Sequence, residues 1–443
     1  MDFYESLTHF DQSLVEELKA AQNLDPVHAL LLNHHKISDE PFTKAFPHVK
    51  SHPFIPHVYY YDKNEYDFGK TWLYDAGVIS IQDPAAMVAP FLLNPKPKER
   101  VLDLCAAPGG KTIFSSLLME QEGVIVSNDI SYPRAKNLSQ NIERMGLSNC
   151  IVTSDDFEPI YTRFAGFFDK ILLDAPCSGS AMFRKDLAEL HDWSKEKVLR
   201  CAAIQSRLLE IAYTCLKKGG KLLYSTCSFS KEENEDQILA FLKGHEDMKV
   251  CKVEERTGYF HPESLKESIY LFPHLYQGEG QFVVLLEKEG EEKASFNPKR
   301  KPVKIDSVLA TLIQEVGIKE EDIVLRNGVY SSIKEKMDVS PLHLLRYGVE
   351  LGIEDKRFIP SHAFARAYPS SCCIPLNSTQ VKAYLNGETF TLKCKDGYHV
   401  VSFASCPLGW VKVSGEVAKN HYPKGLRYRY KEDLFTPFEG ELL

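Results

Sequence analysis

Six short apolar runs alternate with longer helical segments between residues 100 and 288, and this alternation limits the possible folds more than any other feature. The runs are RVLDLC (100–105), GVIVSND (123–129), CIVTSD (150–155), DKILLD (169–174), GKLLYSTC (220–227) and GQFVVLLEK (280–288). Between them lie helical stretches such as SYPRAKNLSQNIERMG and EKVLRCAAIQSRLLEIAYTCLKKGG. Such alternation predicts an α/β fold with a mostly parallel sheet covered on both faces. Ligands of these sheets bind beyond the carboxyl ends of the strands.

The remainder of the chain divides around this segment. Residues 1–72 begin with a helical stretch and continue into a loop rich in tyrosine, which we interpret as a small N-terminal domain. Residues 73–290 contain the strand–helix alternation. Residues 291–370 start in a charged linker with few apolar residues and continue as an α/β connecting domain. Residues 371–443 carry short strands separated by Gly and Asn, which predicts a β-rich module.

Composition argues against several classes of protein. No apolar run reaches the ~18 residues that a membrane span needs, and the N-terminus is acidic and polar, so we expect a cytoplasmic protein with no membrane contact. Eleven cysteines without a C-x-x-C pair disfavour a disulfide scaffold and a structural zinc site, and we expect no metal. The net charge of −8 argues against generic nucleic-acid binding, although a local basic patch can still supply phosphate contacts.

The segment VLDLCAAPGGKT (101–112) predicts a strand, a turn of small residues and a helix. Small residues let a ligand press against the backbone, and the helix start offers free N–H groups. The turn is neither G-x-G-x-x-G nor a phosphate loop, so we expect a nucleoside cofactor without a pyrophosphate, namely S-adenosylmethionine. Asp129 ends the next strand, where an acid holds ribose hydroxyls, and Asp156 would bind the adenine amino group. The predicted cofactor-binding residues are Cys105, Ala106, Ala107, Pro108, Gly109, Gly110, Lys111, Asp129, Asp156 and Asp174.

Two further strand ends each carry a cysteine. DAPCSG places Asp174 and Cys177 after one buried strand, and YSTCSFSKEENE places Cys227 after another. Both thiols would therefore face one pocket at the same edge of the sheet. Either cysteine taken alone is equally compatible with a buried core thiol. Ser230 and Glu233 have the spacing of a capping box, which predicts a helix just after Cys227 whose N-terminus would favour the thiolate.

Three motifs resemble those of the NSUN/RsmF family of RNA 5-cytosine methyltransferases: LCAAPGGKT, DAPCSGSAMFRKD and YSTCSFSKEENE. QDPAAM (82–87) precedes the cofactor motif as in that family, and PHLYQGEGQFVVLL closes the catalytic domain. The tail segments FIPSHAFARAY and PLGWVKVSGEVAKNHYPKGLR resemble the C-terminal extension of its bacterial RsmF-type members. One departure is HALLLNHHKIS (28–38), which retains Asn33 but lacks the arginine of the family's more common Arg-x-Asn. The resemblance implies a Rossmann-like class I methyltransferase domain using S-adenosylmethionine, a small N-terminal RNA-binding domain and a PUA-like C-terminal module.

The resemblance also implies different roles for the two thiols. Carbon 5 of cytosine is a poor nucleophile, and a thiolate added to carbon 6 makes it reactive towards a sulfonium methyl group. By resemblance Cys227 is the attacking nucleophile and Cys177 helps to release the product, whereas DNA cytosine methyltransferases attack with the Pro-Cys thiol. Asp174 would hydrogen-bond N3 of the base, for which it must hold or share a proton. Lys185 would point into the same cleft towards phosphate or base, and Lys111 would contact the carboxylate of the cofactor's methionine portion.

Basic and aromatic residues alternate near the C-terminus. Residues 407–431 hold six Lys or Arg against one Glu, interleaved with Trp410, Tyr422, Tyr428 and Tyr430. This pattern suits backbone contact and base stacking, although a solvated basic face would show it too. NPKRKPVK (297–304) is a second, weaker patch. The resemblance to the RsmF-type members implies methylation of carbon 5 of a cytosine in 16S ribosomal RNA, with the small ribosomal subunit or an assembly intermediate as partner, and we expect a monomer. The same reaction on tRNA, or a non-catalytic ribosome-assembly factor, remain as alternatives.

Overall fold

The chain forms two compact units in the computed structural model, which describes residues 3–158, 161–185, 187–291, 303–340, 342–355, 357–368 and 373–427. The first unit comprises Met1–Ala29, Gln82–Leu138 and Val152–Phe296. The second comprises Leu30–Ile81, Ser139–Ile151 and Asn297–Leu443. Most of the predicted linker and of the weaker basic patch lies outside the described residues, as do Tyr428 and Tyr430. The predicted domain boundaries at 72, 290 and 370 stay predictions.

The helices are distributed along the whole described chain. In order they are α1 (Phe3–Ser6), α2 (Gln12–Ala21), α3 (Asp39–Ala45), α4 (Trp72–Asp75), α5 (Pro84–Leu93), α6 (Gly110–Leu118), α7 (Tyr132–Met145), α8 (Leu187–Asp192), α9 (Lys195–Cys215), α10 (Glu235–Gly244), α11 (Ser307–Val316), α12 (His362–Ala367) and α13 (Ser378–Asn386). Among the described residues, none of these helices combines the length and the apolar character that crossing a membrane requires.

The strands include all six that the apolar runs predict. In chain order they are β1 (Ala29–Leu32), β2 (Lys50–Ser51), β3 (Val58–Tyr60), β4 (Ile79–Gln82), β5 (Arg100–Asp103), β6 (Val124–Asn128), β7 (Cys150–Thr153), β8 (Phe168–Asp174), β9 (Leu216–Thr226), β10 (Met248–Val250), β11 (Tyr259–Phe260), β12 (Ile269–Leu271), β13 (Gln281–Lys288), β14 (Ile323–Arg326), β15 (Val329–Ser332), β16 (Leu344–Tyr347), β17 (Val349–Glu354), β18 (Phe358–Pro360), β19 (Ile374–Pro375), β20 (Phe390–Thr391), β21 (Gly397–Phe403), β22 (Cys406–Ser414) and β23 (Val417–Asn420). The predicted runs correspond to β5, β6, β7, β8, β9 and β13.

One large sheet organises the first unit. Its strands follow the order β11-β12-β13-β9-β8-β5-β6-β7, with β10 also paired to β13. The pairs β5–β6, β5–β8 and β8–β9 are parallel, whereas β13 runs antiparallel to β9. Every residue of β6 and β7 is buried, as expected for strands covered on both faces. On one face, Ala89 and Leu93 of α5 pack against Leu172, Leu223 and Val283 of the central strands. The sheet confirms the predicted α/β class.

The predicted capping box after Cys227 is wrong. A short 3-10 helix covers Lys231–Glu233, and the α-helix α10 begins only at Glu235. The Ser230 hydroxyl accepts no hydrogen bond at this helix start. The carboxylate of Glu233 instead accepts from the side chains of Ser178 and Gln205, which are distant in sequence, and of Ser228, five residues before it. The S-x-x-E pattern is present in the sequence, but in the structure it does not form a helix cap.

Three sheets form the second unit: β2-β3-β1-β4, β14-β15-β17-β18 and β19-β21-β22-β23-β20. A single apolar cluster joins the segment 30–79 to the C-terminal β-rich module. Within it, the rings of Trp72 and Phe403 meet edge to face at 4.9 Å, and Leu30 and Phe42 share the cluster with Val381. Much of the N-terminal part of the chain therefore folds with the C-terminal part, which sequence periodicity does not predict.

The carboxyl end of α4 is closed by Gly77 (φ +61°), whose N–H donates to the carbonyl of Tyr74 (3.0 Å), and by basic side chains from other segments. Three side chains each donate to one of its last backbone carbonyls: Lys36 to Ala76 (2.7 Å), Arg144 to Tyr74 (2.6 Å) and Arg366 to Asp75 (2.6 Å). Helix C-termini carry unpaired carbonyls and a partial negative charge, so cations suit this position. Asn33 donates to the next carbonyl, Gly77 (3.2 Å), and to Met145 (3.1 Å). Asn33 is 1% exposed, so its contacts lie within the fold.

Arg366→Met is expected to destabilise the second unit. Arg366 is 2% exposed and donates to the carbonyls of Asp75, Arg144 and Pro407. Its loss leaves these acceptors unpaired, which we expect to lower the free energy of unfolding by about 3 kcal/mol. Urea unfolding followed by tryptophan fluorescence measures the change, since Trp72 and Trp410 lie in this unit. The exposed Lys382→Met is the control, and an equal effect of both variants contradicts the interpretation.

Candidate active site

Parallel strands bring the predicted site residues to one edge of the large sheet. β5 ends at Asp103, β8 at Asp174 and β9 at Thr226. In the register of β8 and β9, Asp174 lies opposite Ser225, so the cysteine loops that follow the two strands begin side by side. Carboxyl ends of parallel strands are the usual ligand-binding edge of such sheets.

A cavity of about 490 Å³ opens at this edge. That volume lies within the range of small-molecule sites, roughly 300–1,000 Å³. The predicted residues that line it are Cys105, Ala107, Asp129, Asp156, Asp174, Cys177 and Cys227. The other predicted cofactor residues form the adjoining turn and the start of α6: Ala106, Pro108, Gly109, Gly110 and Lys111. The two thiols and the candidate cofactor acids therefore share one cavity.

The cofactor turn is held by backbone geometry that explains its small residues. The N–H of Ala106 donates to the carbonyl of Asn128 (2.7 Å), tying the turn to the end of β6. Gly109 precedes α6 with φ +112°, a conformation that favours glycine. A side chain at Gly110 would place its Cβ 2.9 Å from the Gln82 amide oxygen. Larger residues would thus distort the turn or close the space above it.

Asp129 is the buried acid at the end of β6. It is 2% exposed, and its carboxylate accepts from the N–H of Ser131 at 2.9 Å. Arg134 lies 3.4 Å from the other oxygen and donates to the carbonyl of Ala107 (3.0 Å), so one guanidinium links the acid to the cofactor turn. A fixed carboxylate at this strand end suits a ribose diol.

Several residues that line the cavity were not predicted from the sequence. Asn128 is 3% exposed and accepts from Thr153 (2.8 Å) and from the N–H of Asp155 (3.0 Å), which fixes the loop after β7. Asp155 is buried and lines the cavity together with the predicted, exposed Asp156. The consecutive acids in TSDD were visible in the sequence, but only burial distinguishes the two carboxylates.

The two sulfur atoms of Cys177 and Cys227 lie 3.0 Å apart. The hydrogen bond to Cys227, followed by burial, raises the pKa of Cys177 well above its usual value. Cys177 therefore keeps its proton and can donate it towards the Cys227 sulfur. In this arrangement Cys177 can act as the donor and Cys227 as the acceptor of the hydrogen bond between the two sulfur atoms.

Asp174 lies at the centre of a hydrogen-bond network beside these thiols. Its Oδ2 atom accepts from the Lys111 ammonium (2.7 Å), and its Oδ1 atom accepts from Ser225 (2.7 Å) and Gln281 (2.9 Å). Burial lowers the pKa of Lys111, but the Asp174 carboxylate raises it, and the net pKa lies above the usual value. Lys111 thus connects the cofactor turn to the carboxylate next to the thiols.

Lys185 is exposed and is not among the residues that line the cavity. The side chain of its neighbour Arg184 is only 6% exposed and forms an ion pair with Glu279 at 2.8 Å. Arg184 also donates to the carbonyl of Gly278 (2.9 Å). In this conformation the loop 183–185 is anchored by Arg184, and Lys185 reaches solvent.

The chemistry available at this site follows from its parts. A thiol pair offers a nucleophile next to a proton donor, and the Asp174–Lys111 pair offers a shared proton. The buried Asp129 and the open cofactor turn suit a nucleoside ligand with ribose hydroxyls, so the residues present fit S-adenosylmethionine. These features together suit a methyltransferase site in which a thiol is placed to act as a nucleophile.

Comparison with known proteins supports this description. Residues 90–287 match the family described as "16S rRNA methyltransferase RsmB/F", and residues 372–428 match "Methyltransferase RsmF PUA domain". The second match confirms the predicted PUA-like module. A crystal structure of a methyltransferase homolog protein from Pyrococcus horikoshii is 29% identical, with a TM-score of 0.57 over 64% of this chain and 93% of that one.

Two curated proteins are similar over long stretches. A ribosomal RNA small subunit methyltransferase F from Shewanella amazonensis is 30% identical over 79% of this chain and 80% of its own length. A tRNA (cytosine(49)-C(5))-methyltransferase from Pyrococcus abyssi is 34% identical over 60% of this chain and 85% of its own length. On these similarities and the matched domains, the chain belongs to the 16S rRNA methyltransferase RsmB/F family.

Proposed function

We propose that the protein methylates carbon 5 of a cytosine in 16S ribosomal RNA through a covalent cysteine–cytosine adduct. The observation that carries the proposal is the pair of thiols 3.0 Å apart, beside Asp174, in the cavity that also holds the cofactor acids. S-adenosylmethionine supplies an electrophilic methyl group when it is bound. The target base must be flipped out or already unpaired to reach the thiols.

Cys227 is the nucleophile in this mechanism. Its thiolate adds to carbon 6 of the cytosine, which raises the electron density at carbon 5 and lets that carbon attack the methyl group. The hydrogen bond from Cys177 stabilises the thiolate before the attack. A thiolate at this position is more reactive than a free thiol, of which only a few per cent is ionised at neutral pH.

Asp174 and Lys111 hold the proton that the base needs. The Asp174 carboxylate binds at N3, and the ammonium of Lys111, 2.7 Å from Oδ2, supplies the shared proton. Protonation at N3 offsets the negative charge that the ring gains when the thiolate adds. Ser225 and Gln281 fix the orientation of the carboxylate, because both donate to its other oxygen.

Cys177 acts after methyl transfer. Once Cys227 is bonded to the base, it is a thioether and no longer competes for the Cys177 proton. The main cause of the raised pKa of Cys177 is then gone, so this thiol loses its proton to solvent more readily and becomes a thiolate that can act as a base. It removes the proton from carbon 5, the bond between Cys227 and carbon 6 breaks, and the methylated cytosine leaves.

Ribosomal RNA is the substrate that the chain's architecture favours. The match to the RsmF PUA domain and the similarity to the Shewanella amazonensis protein extend beyond the catalytic domain. The tRNA alternative has the support of the Pyrococcus abyssi relative, whose similarity covers 60% of this chain. The non-catalytic alternative is disfavoured, because both cysteines and Asp174 are retained and meet in one cavity. We extend the proposal to the small subunit or its assembly intermediate as partner of a cytoplasmic monomer.

Cys227→Ala is expected to abolish both methylation and covalent adduct, because no thiol then adds to carbon 6. Cys177→Ala is expected to accumulate a protein–RNA adduct that survives denaturation, because the release step fails. Labelled S-adenosylmethionine, cellular RNA and a denaturing gel measure both products. Cys251→Ala, outside the cavity, is the control. Methylation by Cys227→Ala together with no adduct from Cys177→Ala would reverse the two roles.

Asp129→Asn is expected to weaken the binding of S-adenosylmethionine about tenfold or more, because a buried charged hydrogen-bond acceptor is lost. Isothermal titration calorimetry without RNA measures the dissociation constant. Glu263→Gln, an exposed acid of the same unit, is the control and should leave affinity unchanged. An unchanged affinity in Asp129→Asn would show that the cofactor binds elsewhere.

The choice between RNA substrates can be tested directly. Unmodified 16S ribosomal RNA, purified small subunits and transcribed tRNA are each incubated with the protein and labelled cofactor. We expect label in one or both of the ribosomal substrates and none in tRNA, with Cys227→Ala as the blank. Label in tRNA alone would replace the ribosomal proposal with the tRNA alternative.

A further inference from the structure

A buried carboxylate lies directly behind the two catalytic thiols. Glu233 is 0% exposed and belongs to the short 3-10 helix Lys231–Glu233, six residues after Cys227. The sequence pattern predicted that Glu233 caps a helix, and the proposed mechanism gives Glu233 no role. Its hydrogen bonds instead reach both cysteine loops and α9.

The first set of bonds holds the loop that carries Cys177. The N–H of Ser178, the residue after that cysteine, donates to Oε1 of Glu233 at 2.8 Å, and the Ser178 hydroxyl donates to Oε2. Gln205 of α9 donates to Oε1 (3.1 Å) and to the carbonyl of Pro176 (2.9 Å), the residue before the cysteine. The backbone on either side of Cys177 is thus bound to Glu233, directly or through Gln205.

The second set holds the loop that carries Cys227. The hydroxyl of Ser228, the residue after that cysteine, donates to Oε2 of Glu233 at 2.6 Å. The hydroxyl oxygens of Ser178 and Ser228 lie 3.1 Å apart. One carboxylate oxygen therefore accepts from the residue that follows each thiol.

We infer that Glu233 is a positioning residue that sets the spacing of the two thiols by binding the residue after each of them. It touches neither thiol and acts through Ser178 and Ser228. The effect of this spacing on product release rests on the proposed function, whereas the role of Glu233 in setting the spacing does not. A misplacement of about 1 Å between reacting groups can lower a rate by about two orders of magnitude.

The bridge depends on both carboxylate oxygens of Glu233, because each oxygen accepts hydrogen bonds from two of the four donors. Burial raises the pKa of Glu233 above its usual value, and the hydrogen bonds from Ser178, Ser228 and Gln205 offset only part of this rise. Glutamine can keep most of these contacts, because its oxygen accepts from Ser178 N–H and Gln205 while its NH₂ donates to hydroxyl oxygens that reorient. Alanine removes all of them. Glu235, also buried, accepts from Tyr270 (2.7 Å) and contacts neither loop, so it is a matched control.

The test measures thiol spacing without RNA. Each protein is incubated with oxidised glutathione, and the peptide joining Cys177 to Cys227 is quantified by mass spectrometry over time. In this reaction the two thiols lose two protons and two electrons, and oxidised glutathione becomes two molecules of glutathione. We expect the disulfide to form about tenfold more slowly or worse in Glu233→Ala, and close to the wild-type rate in Glu233→Gln and Glu235→Ala. Circular dichroism confirms that the variants fold.

Ser228→Ala keeps the carboxylate and removes its bond to the Cys227 loop, so it tests the bridge even where Glu233→Ala fails to fold. We expect it to slow disulfide formation as well. A wild-type rate in both Glu233→Ala and Ser228→Ala, or an equal loss in Glu235→Ala, overturns the inference.

A second readout follows the reaction itself. With RNA and cofactor, Glu233→Ala is expected to form the covalent adduct but to release it slowly, so kcat falls more than KM rises and adduct accumulates. A merely structural role would lower all activity in proportion to folded protein. If the wild type forms no adduct at all, the proposed function fails, while the disulfide rates still decide the role of Glu233.

Discussion

The parallel pairing of β8 with β9 is the interaction on which the site depends. Its register places Asp174 opposite Ser225, so both strands end at the same level of the sheet. The loops that follow carry the two thiols, and they leave the sheet as neighbours for this reason alone. Cys177 and Cys227 are fifty residues apart in sequence, yet their sulfur atoms are 3.0 Å apart. A shift of this register would move one thiol away from the other and from the carboxylate.

Within the described part of the chain, few charged side chains lie close to the two thiols. The ammonium of Lys111 pairs with Asp174 and thereby links the cofactor turn to the carboxylate beside the thiols. Glu233 is surrounded by neutral donors, and Cys177 is held protonated by the hydrogen bond to Cys227 and by burial. Burial and hydrogen bonds therefore act together on the pKa values of Lys111, Cys177 and Glu233.

Sequence reasoning succeeded where the signal is local. Apolar runs predicted six strands of the large sheet, and the motifs placed the cysteines and Asp129 at strand ends. It failed at Glu233, whose carboxylate does not cap a helix but accepts from the distant Ser178 and from the nearby Ser228. It also missed Asn128, whose amide holds the loop after β7, because an asparagine at a strand end has no distinctive pattern. Lys185 lies exposed, since its neighbour Arg184 takes the buried ion pair with Glu279.

Periodicity and turn chemistry act over a few residues, so they were enough to predict the strand and helix order of the large sheet, the cofactor turn and the two cysteine motifs. The pairing of side chains depends instead on how the chain packs: Lys111 pairs with Asp174, Glu233 with both cysteine loops, and Arg366 with carbonyls from three segments. Packing also brings residues 30–79 into a core shared with the C-terminal module. A buried polar group must find its partners wherever the packed chain offers them, and that choice is made at distances in sequence that no local pattern spans.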